Sequence, residues 1–115
     1  MSSQPPLEVL IAVRPRLFAS ALGRLLDRDG RRVTIVDPEV GAIYGDRYDV
    51  AVISEGPTLA APGVAVIRLA DPEQGRPSST VRIGSQHEIV AVASTMDLVA
   101  LVDRAGLEAR GRAEA

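Results

Sequence analysis

Apolar residues along this chain fall into two patterns: short continuous runs, and longer stretches in which they recur three and four positions apart. Glu8 to Val13 is a β-branched-rich apolar run of the length expected for a buried strand. Leu17, Phe18, Ala21, Leu22, Leu25 and Leu26 then mark one face of a helix, with Pro15 suited to its first turn and Gly30 just past its end. The spacing predicts a helix over Pro15 to Arg28. Val33 to Val36, closed by Asp37-Pro38, is a second strand, Val50 to Ile53 a third, Val64 to Leu69 a fourth and Ile89 to Ala93 a fifth. Their consecutive apolar positions fit parallel strands covered on both faces. Between the second and third, Glu39 to Tyr44 offers little more than a turn of helix, interrupted by Gly41 and Gly45.

The last helix is well signalled. Ser94 can cap it, Asp97 stands three residues later, and Leu98, Leu101, Val102 and Ala105 form its apolar stripe, with Gly106 expected to end it. The chain then divides into an N-terminus without fixed structure at 1–6, one domain at 7–106, and a tail or linker start at 107–115. Five strands alternating with helical segments imply an α/β fold with a parallel sheet and right-handed crossovers.

Two of those crossovers are poor. Only Glu55 to Gly63 separates the third strand from the fourth, whereas a parallel crossover normally takes about a dozen residues or more. The helix there must be vestigial. Asp71 to Glu88 is long enough for a helix but contains Pro72, Gly75, Pro77 and Gly84, and Thr80 to Gly84 reads as extended. One face of the sheet is therefore expected to be thinly covered, leaving apolar residues for a second copy or another protein. The alternative is that the long loop folds back over that face.

Composition removes several function classes. With 46% apolar and 24% charged residues and a net charge of -2, the chain lacks the basic excess that direct nucleic-acid contact by this segment would need. There is no cysteine, which excludes disulfides, thiolate metal sites and thiol nucleophiles. The start, Met-Ser-Ser-Gln-Pro-Pro, has neither a charged opening nor a long apolar run, so a cytoplasmic protein without membrane association is expected. Aromatics, at 3%, are too few for a base-stacking platform or a cation cage.

From Val9 to Leu26 the sequence VLIAVRPRLFASALGRLL resembles the opening of a response-regulator receiver, especially those that precede LuxR-type helix-turn-helix domains. The similarity continues through Asp49 to Ser54, Val66 to Ala70 and Ile89 to Val102. The resemblance implies a flavodoxin-like, receiver-like five-stranded parallel sheet in the order 2-1-3-4-5, here with helices 3 and 4 reduced or irregular. It also implies a phosphorylation pocket, and every functional position of that pocket is changed. The acidic pair that holds magnesium falls on Val13 and Arg14, the aspartate acceptor on Ser54, the hydroxyl on Ala70 and the lysine on Ser94. Magnesium takes hard oxygen ligands, and a valine beside a cationic arginine disfavours it. An acyl phosphate cannot form on a serine, and Glu55, next in sequence, lacks a metal site to activate it.

In open parallel sheets ligands bind beyond the carboxyl ends of the strands, where Arg14, Arg16, Asp37, Ser54, Glu55, Asp71 and Ser94 should gather. Arg14 and Arg16 could clamp a carboxylate or phosphate in their guanidinium forks. The alternative is that Arg14 neutralises Glu55 or Asp71 internally. Asp37 stands where a dinucleotide fold contacts ribose, but no glycine follows the first strand to admit a pyrophosphate. Ser94 reads more readily as a helix cap than as a site residue. His87, the only histidine, sits in the irregular segment and could serve as a titrating switch, although a lone loop histidine usually does not. No metal cluster, no nucleophile with a neighbouring base and no carboxylate pair can be assembled, so no catalytic residue, cofactor or metal is expected. The resulting expectation is a non-catalytic, phosphorylation-independent regulatory module. It would act by homodimerisation or protein contact, as part of or partner to a transcription regulator, the alternative being a sensor of a small anionic metabolite.

Overall fold

A computed structural model of the chain describes residues 6–14, 16–27, 30–37, 48–54, 64–70, 75, 78–83, 86–92 and 94–114. The elements are β1 (Leu7–Ala12), α1 (Arg16–Leu26), β2 (Arg31–Ile35), β3 (Val50–Ile53), β4 (Ala65–Arg68), β5 (Ser79–Ile83), β6 (Gln86–Val90) and α2 (Thr95–Glu114). The strands form one sheet in the order β2-β1-β3-β4-β5-β6. The first four are parallel, in registers that set Val9 beside Val33 and Val50, and Val50 beside Ala65. Expected helices within Glu39 to Tyr44 and Glu55 to Gly63 lie outside the described residues, as do residues 1–5 and most of Asp71 to Pro77.

The far side of the sheet corrects the all-parallel, five-stranded expectation. β5 runs antiparallel to β4, pairing Ala65 with Ile83, and β6 runs antiparallel to β5, pairing Thr80 with Ile89. The strand expected at Ile89 to Ala93 is therefore Gln86–Val90, and β5 separates it from β4. Alternation explains the difference. Ser79, Val81 and Ile83 are buried while Arg82 between them is exposed, the period-two pattern of a strand with one face in the core. Such a strand needs no crossover helix and can lie antiparallel beside β4.

α1 and α2 lie on the same face of the sheet. There Val9, Ile11, Val13, Val50, Val52, Ala65, Ile67, Val81 and Ile83 pack with Ala19, Leu22 and Leu26 of α1 and with Leu98, Leu101, Val102, Ala105 and Ala109 of α2. The alternate sheet residues Leu10, Ala12, Ala51, Ile53, Val64 and Val66 form a second buried cluster on the opposite face, joined by Val36 and Tyr48. All six are at most 4% exposed within the single chain. The expectation of an open apolar patch there is corrected, and docking surfaces must be sought elsewhere.

Both helices differ from expectation in instructive ways. The six apolar residues of α1 span too wide an arc for one contact. The sheet takes Ala19, Leu22, Gly23 and Leu26, leaving Leu17 83% and Phe18 37% exposed. α2 runs through Gly106 to Glu114, so residues 107–114 are helix, not a frayed tail. Gly106 faces Leu7: a Cβ there would stand 3.2 Å from both Leu7 methyls. It is a point of close helix-to-sheet approach, with Ala109 fully buried one turn on.

Two arginine-aspartate pairs anchor α2. Arg110 Nη2 donates to Asp49 Oδ2 at 2.6 Å and to the Pro6 carbonyl at 2.8 Å, and the same carboxylate oxygen accepts the Glu8 amide at 2.9 Å. Arg31 Nη1 donates to both oxygens of Asp103 at 2.8 Å, while its Nε donates to the Leu26 carbonyl at the end of α1. Charge-assisted bonds of this kind are about twice as strong as neutral ones.

Candidate functional site

The carboxyl ends of β1, β2 and β3 bring together part of the expected strand-end cluster. The Arg14 amide donates to Ser54 Oγ at 3.1 Å, joining the positions where the resemblance puts the acidic pair and the acceptor. The Arg14 guanidinium lies 3.9 Å from Asp37, both side chains more than half exposed. This is a loose surface ion pair, of a kind that contributes about 0–1 kcal/mol. Glu55 and Asp71, the internal partners expected for Arg14, lie outside the described residues. Arg16 lines the same small cavity with Val13, Arg14, Ala19, Ile35, Val36 and Asp37. That cavity is about 40 Å³, against roughly 300–1,000 Å³ for typical ligand pockets.

The other two pocket positions serve the fold. The Ala70 amide donates to Ser79 Oγ at 2.9 Å, and Ser79 is the one buried polar side chain among the described residues. Burial of that hydroxyl is offset by the hydrogen bond it accepts. Ser94 caps α2 as its context predicts: its Oγ accepts the Asp97 amide at 3.2 Å, and its carbonyl accepts the Leu98 amide. The strand leading to Ser94 is not the neighbour of β4 that the resemblance implies, because β5 lies between. Among the described residues no group of three His, Asp or Glu side chains could hold a metal ion.

His87 is not in an irregular segment but in the exposed strand β6, where it lines a cavity of about 230 Å³ with Val66, Arg68, Thr80 and Arg82 on the face away from the helices. On the helix side, Glu88 accepts from Arg104 Nη2 of α2 at 3.0 Å. Open grooves of about 450 and 600 Å³ flank that pair, lined by Val81, Ile83, Val90, Ala100 and Leu101 among others. α2 packs chiefly on β1, β3, β4 and β5, and reaches β6 through Arg104.

The sequence placed an edge strand at Ile89 to Ala93 but missed β5 beside it, the start of β6 at Gln86 to Glu88, and the role of Arg104. Gln86-His87-Glu88 is polar, and only alternation in the preceding Ser79 to Ile83 hints that a hairpin occupies this stretch. The large apolar side chains left exposed are Leu17 and Phe18 on α1, Ile35 at the end of β2, Ile89 on β6, and Met96 and Leu107 on α2. No described helix is long and apolar enough to cross a membrane. No family model, curated protein or solved structure matches the chain.

Proposed function

We propose that this chain is a non-catalytic, phosphorylation-independent regulatory module that works by protein contact, built on a receiver-like arrangement whose reaction pocket has become structural. One observation carries the reading: at the strand ends the pocket positions bond to one another or to the fold, while large apolar side chains stand exposed on α1, β6 and α2. Arg14 and Ser54 are bonded together, Ala70 is bonded to Ser79, and Ser94 is committed to its helix. Surface available to a macromolecule is instead found on α1 and along β6. Receiver resemblance in the parallel half of the sheet supports a place in signalling, as a domain of a transcription regulator or its partner. The metabolite-sensor alternative has less support, since a cavity of about 40 Å³ beside Arg14 and Arg16 holds a few waters at most.

The test is intact-mass and native mass spectrometry of the full chain, before and after incubation with magnesium and acetyl phosphate. The expected result is no phosphoryl adduct, and a dimer or protein complex that the treatment leaves unchanged. A stoichiometric phosphoryl adduct, or a monomer carrying a small anionic molecule that is lost in the Arg14→Ala, Arg16→Ala variant, would overturn the reading.

A further inference from the structure

Resting on that protein-contact reading, we infer that β6 is a self-pairing edge: two copies of this chain join through it, antiparallel, into one continuous sheet with Glu88 at the twofold axis. β6 is the last strand of the sheet. In an antiparallel ladder successive residues direct their amide groups alternately to the two sides, so half of those of β6 face outward from β5. An open edge of this kind is a template for another strand. Gln86, His87, Glu88 and Ile89 are all exposed, Ile89 to 72%. The opposite edge, β2, is a poorer template. Its Arg31, Val33 and Thr34 are half-buried, and Arg31 and Arg32 are held by Asp103 and Glu8.

Proteins that keep an edge solitary place lysine, proline or a bulge on it. Gln86–Val90 contains neither lysine, proline nor glycine and pairs with β5 without a bulge, residue for residue. Its one carboxylate, Glu88, is neutralised from the helix side by Arg104.

The occupant follows from the symmetry of these charges. Antiparallel pairing centred on Glu88 sets His87 opposite Ile89 of the second copy, and Gln86 opposite its Val90. The two Glu88 residues then face each other with Cα atoms roughly 4.5–5.5 Å apart, a repulsive contact if unaccompanied. Each brings its own Arg104, 3.0 Å from its Oε1, on the same face of the sheet. Two carboxylates and two guanidinium groups converge with no net charge, each arginine within reach of both acids. A second copy supplies this complement automatically. Five-residue strands bury little area, so the contact belongs with interfaces under about 1,200 Å² and is weak and concentration-dependent.

Sedimentation velocity of the full chain from about 10 to about 500 µM should show a monomer-dimer equilibrium. Ile89→Lys sets a second cation beside His87 and Arg82, and Arg104→Glu leaves four acids at the axis. Each should weaken dimerisation at least about tenfold, with far-UV circular dichroism unchanged. The charge-swapped double variant Glu88→Arg, Arg104→Glu should recover the dimer. A wild-type chain that stays monomeric throughout this range would overturn the proposal, and so would a swap that fails to rescue. So would a dimer that survives both single variants, which would move the contact to a surface such as Leu17 and Phe18 and leave the protein-contact reading standing.

Discussion

At the scale of single residues, arginine and glycine do most to fix the geometry. The Arg110–Asp49 pair is four-fifths buried on both sides and also satisfies the Pro6 carbonyl and the Glu8 amide. Removing one partner of such a pair strands the other, so Arg110→Ala is expected to cost about 2–3 kcal/mol in urea unfolding. Arg104→Ala, at an exposed pair, should cost under about 1 kcal/mol. The glycines of α2 separate two effects in the same way. A Cβ added at Gly111 would meet nothing within 4 Å, so Gly111→Ala should stabilise by up to about 1 kcal/mol through helix propensity. At Gly106 the same change meets the buried Leu7 methyls and gains nothing, and Gly106→Val should cost about 2 kcal/mol or more. Equal gains at the two sites would show that the helix can lift from the sheet. Of the residues singled out by sequence, Ser94 kept its expected role because a cap is set by neighbours three and four positions away. Arg14 could be placed at the strand ends but its partner could not, since Asp37 arrives from another strand.

Elements were legible where one periodicity dominates. β1, β3 and β4 lie within a residue of their expected bounds because continuous apolar runs flanked by turn residues have few other uses. The end of α2 was not legible, because glycine after an apolar stripe is the ordinary signature of a helix terminus. Here Gly106 lies on the stripe itself, between Val102 and Ala109, and serves close packing. Ending the chain after Leu107 therefore removes a buried turn, not a tail. It takes away Ala109 and Arg110 together, and should lower the thermal midpoint by roughly 10 °C or more, beyond the effect of Arg110→Ala alone. A truncated chain that melts with the full one would mean the last two turns contribute nothing to the fold. α1 teaches the complementary point: an apolar arc can be wider than its contact, and sequence does not say which part stays outside.

At the scale of the whole molecule, the sheet has a core on each face, although both described helices lie on one. Leu10, fully buried in the cluster on the other face, tests whether that second layer is packed within a single chain. Leu10→Ala should cost about 2–5 kcal/mol at every protein concentration. A penalty that disappeared on dilution would mean a second copy supplies the cover. By itself the sequence determined the α/β class, the parallel strands β1, β2, β3 and β4, and the capped start of α2. Each of these follows from local pattern or from the chemistry of a residue type. Only the tertiary structure decided that β5 enters antiparallel beside β4, that the edge strand begins at Gln86, and that Arg104 meets Glu88 above it. Strand pairing joins residues distant in sequence, and the energy that selects one neighbour over another comes from burial shared across the sheet, which no local window contains.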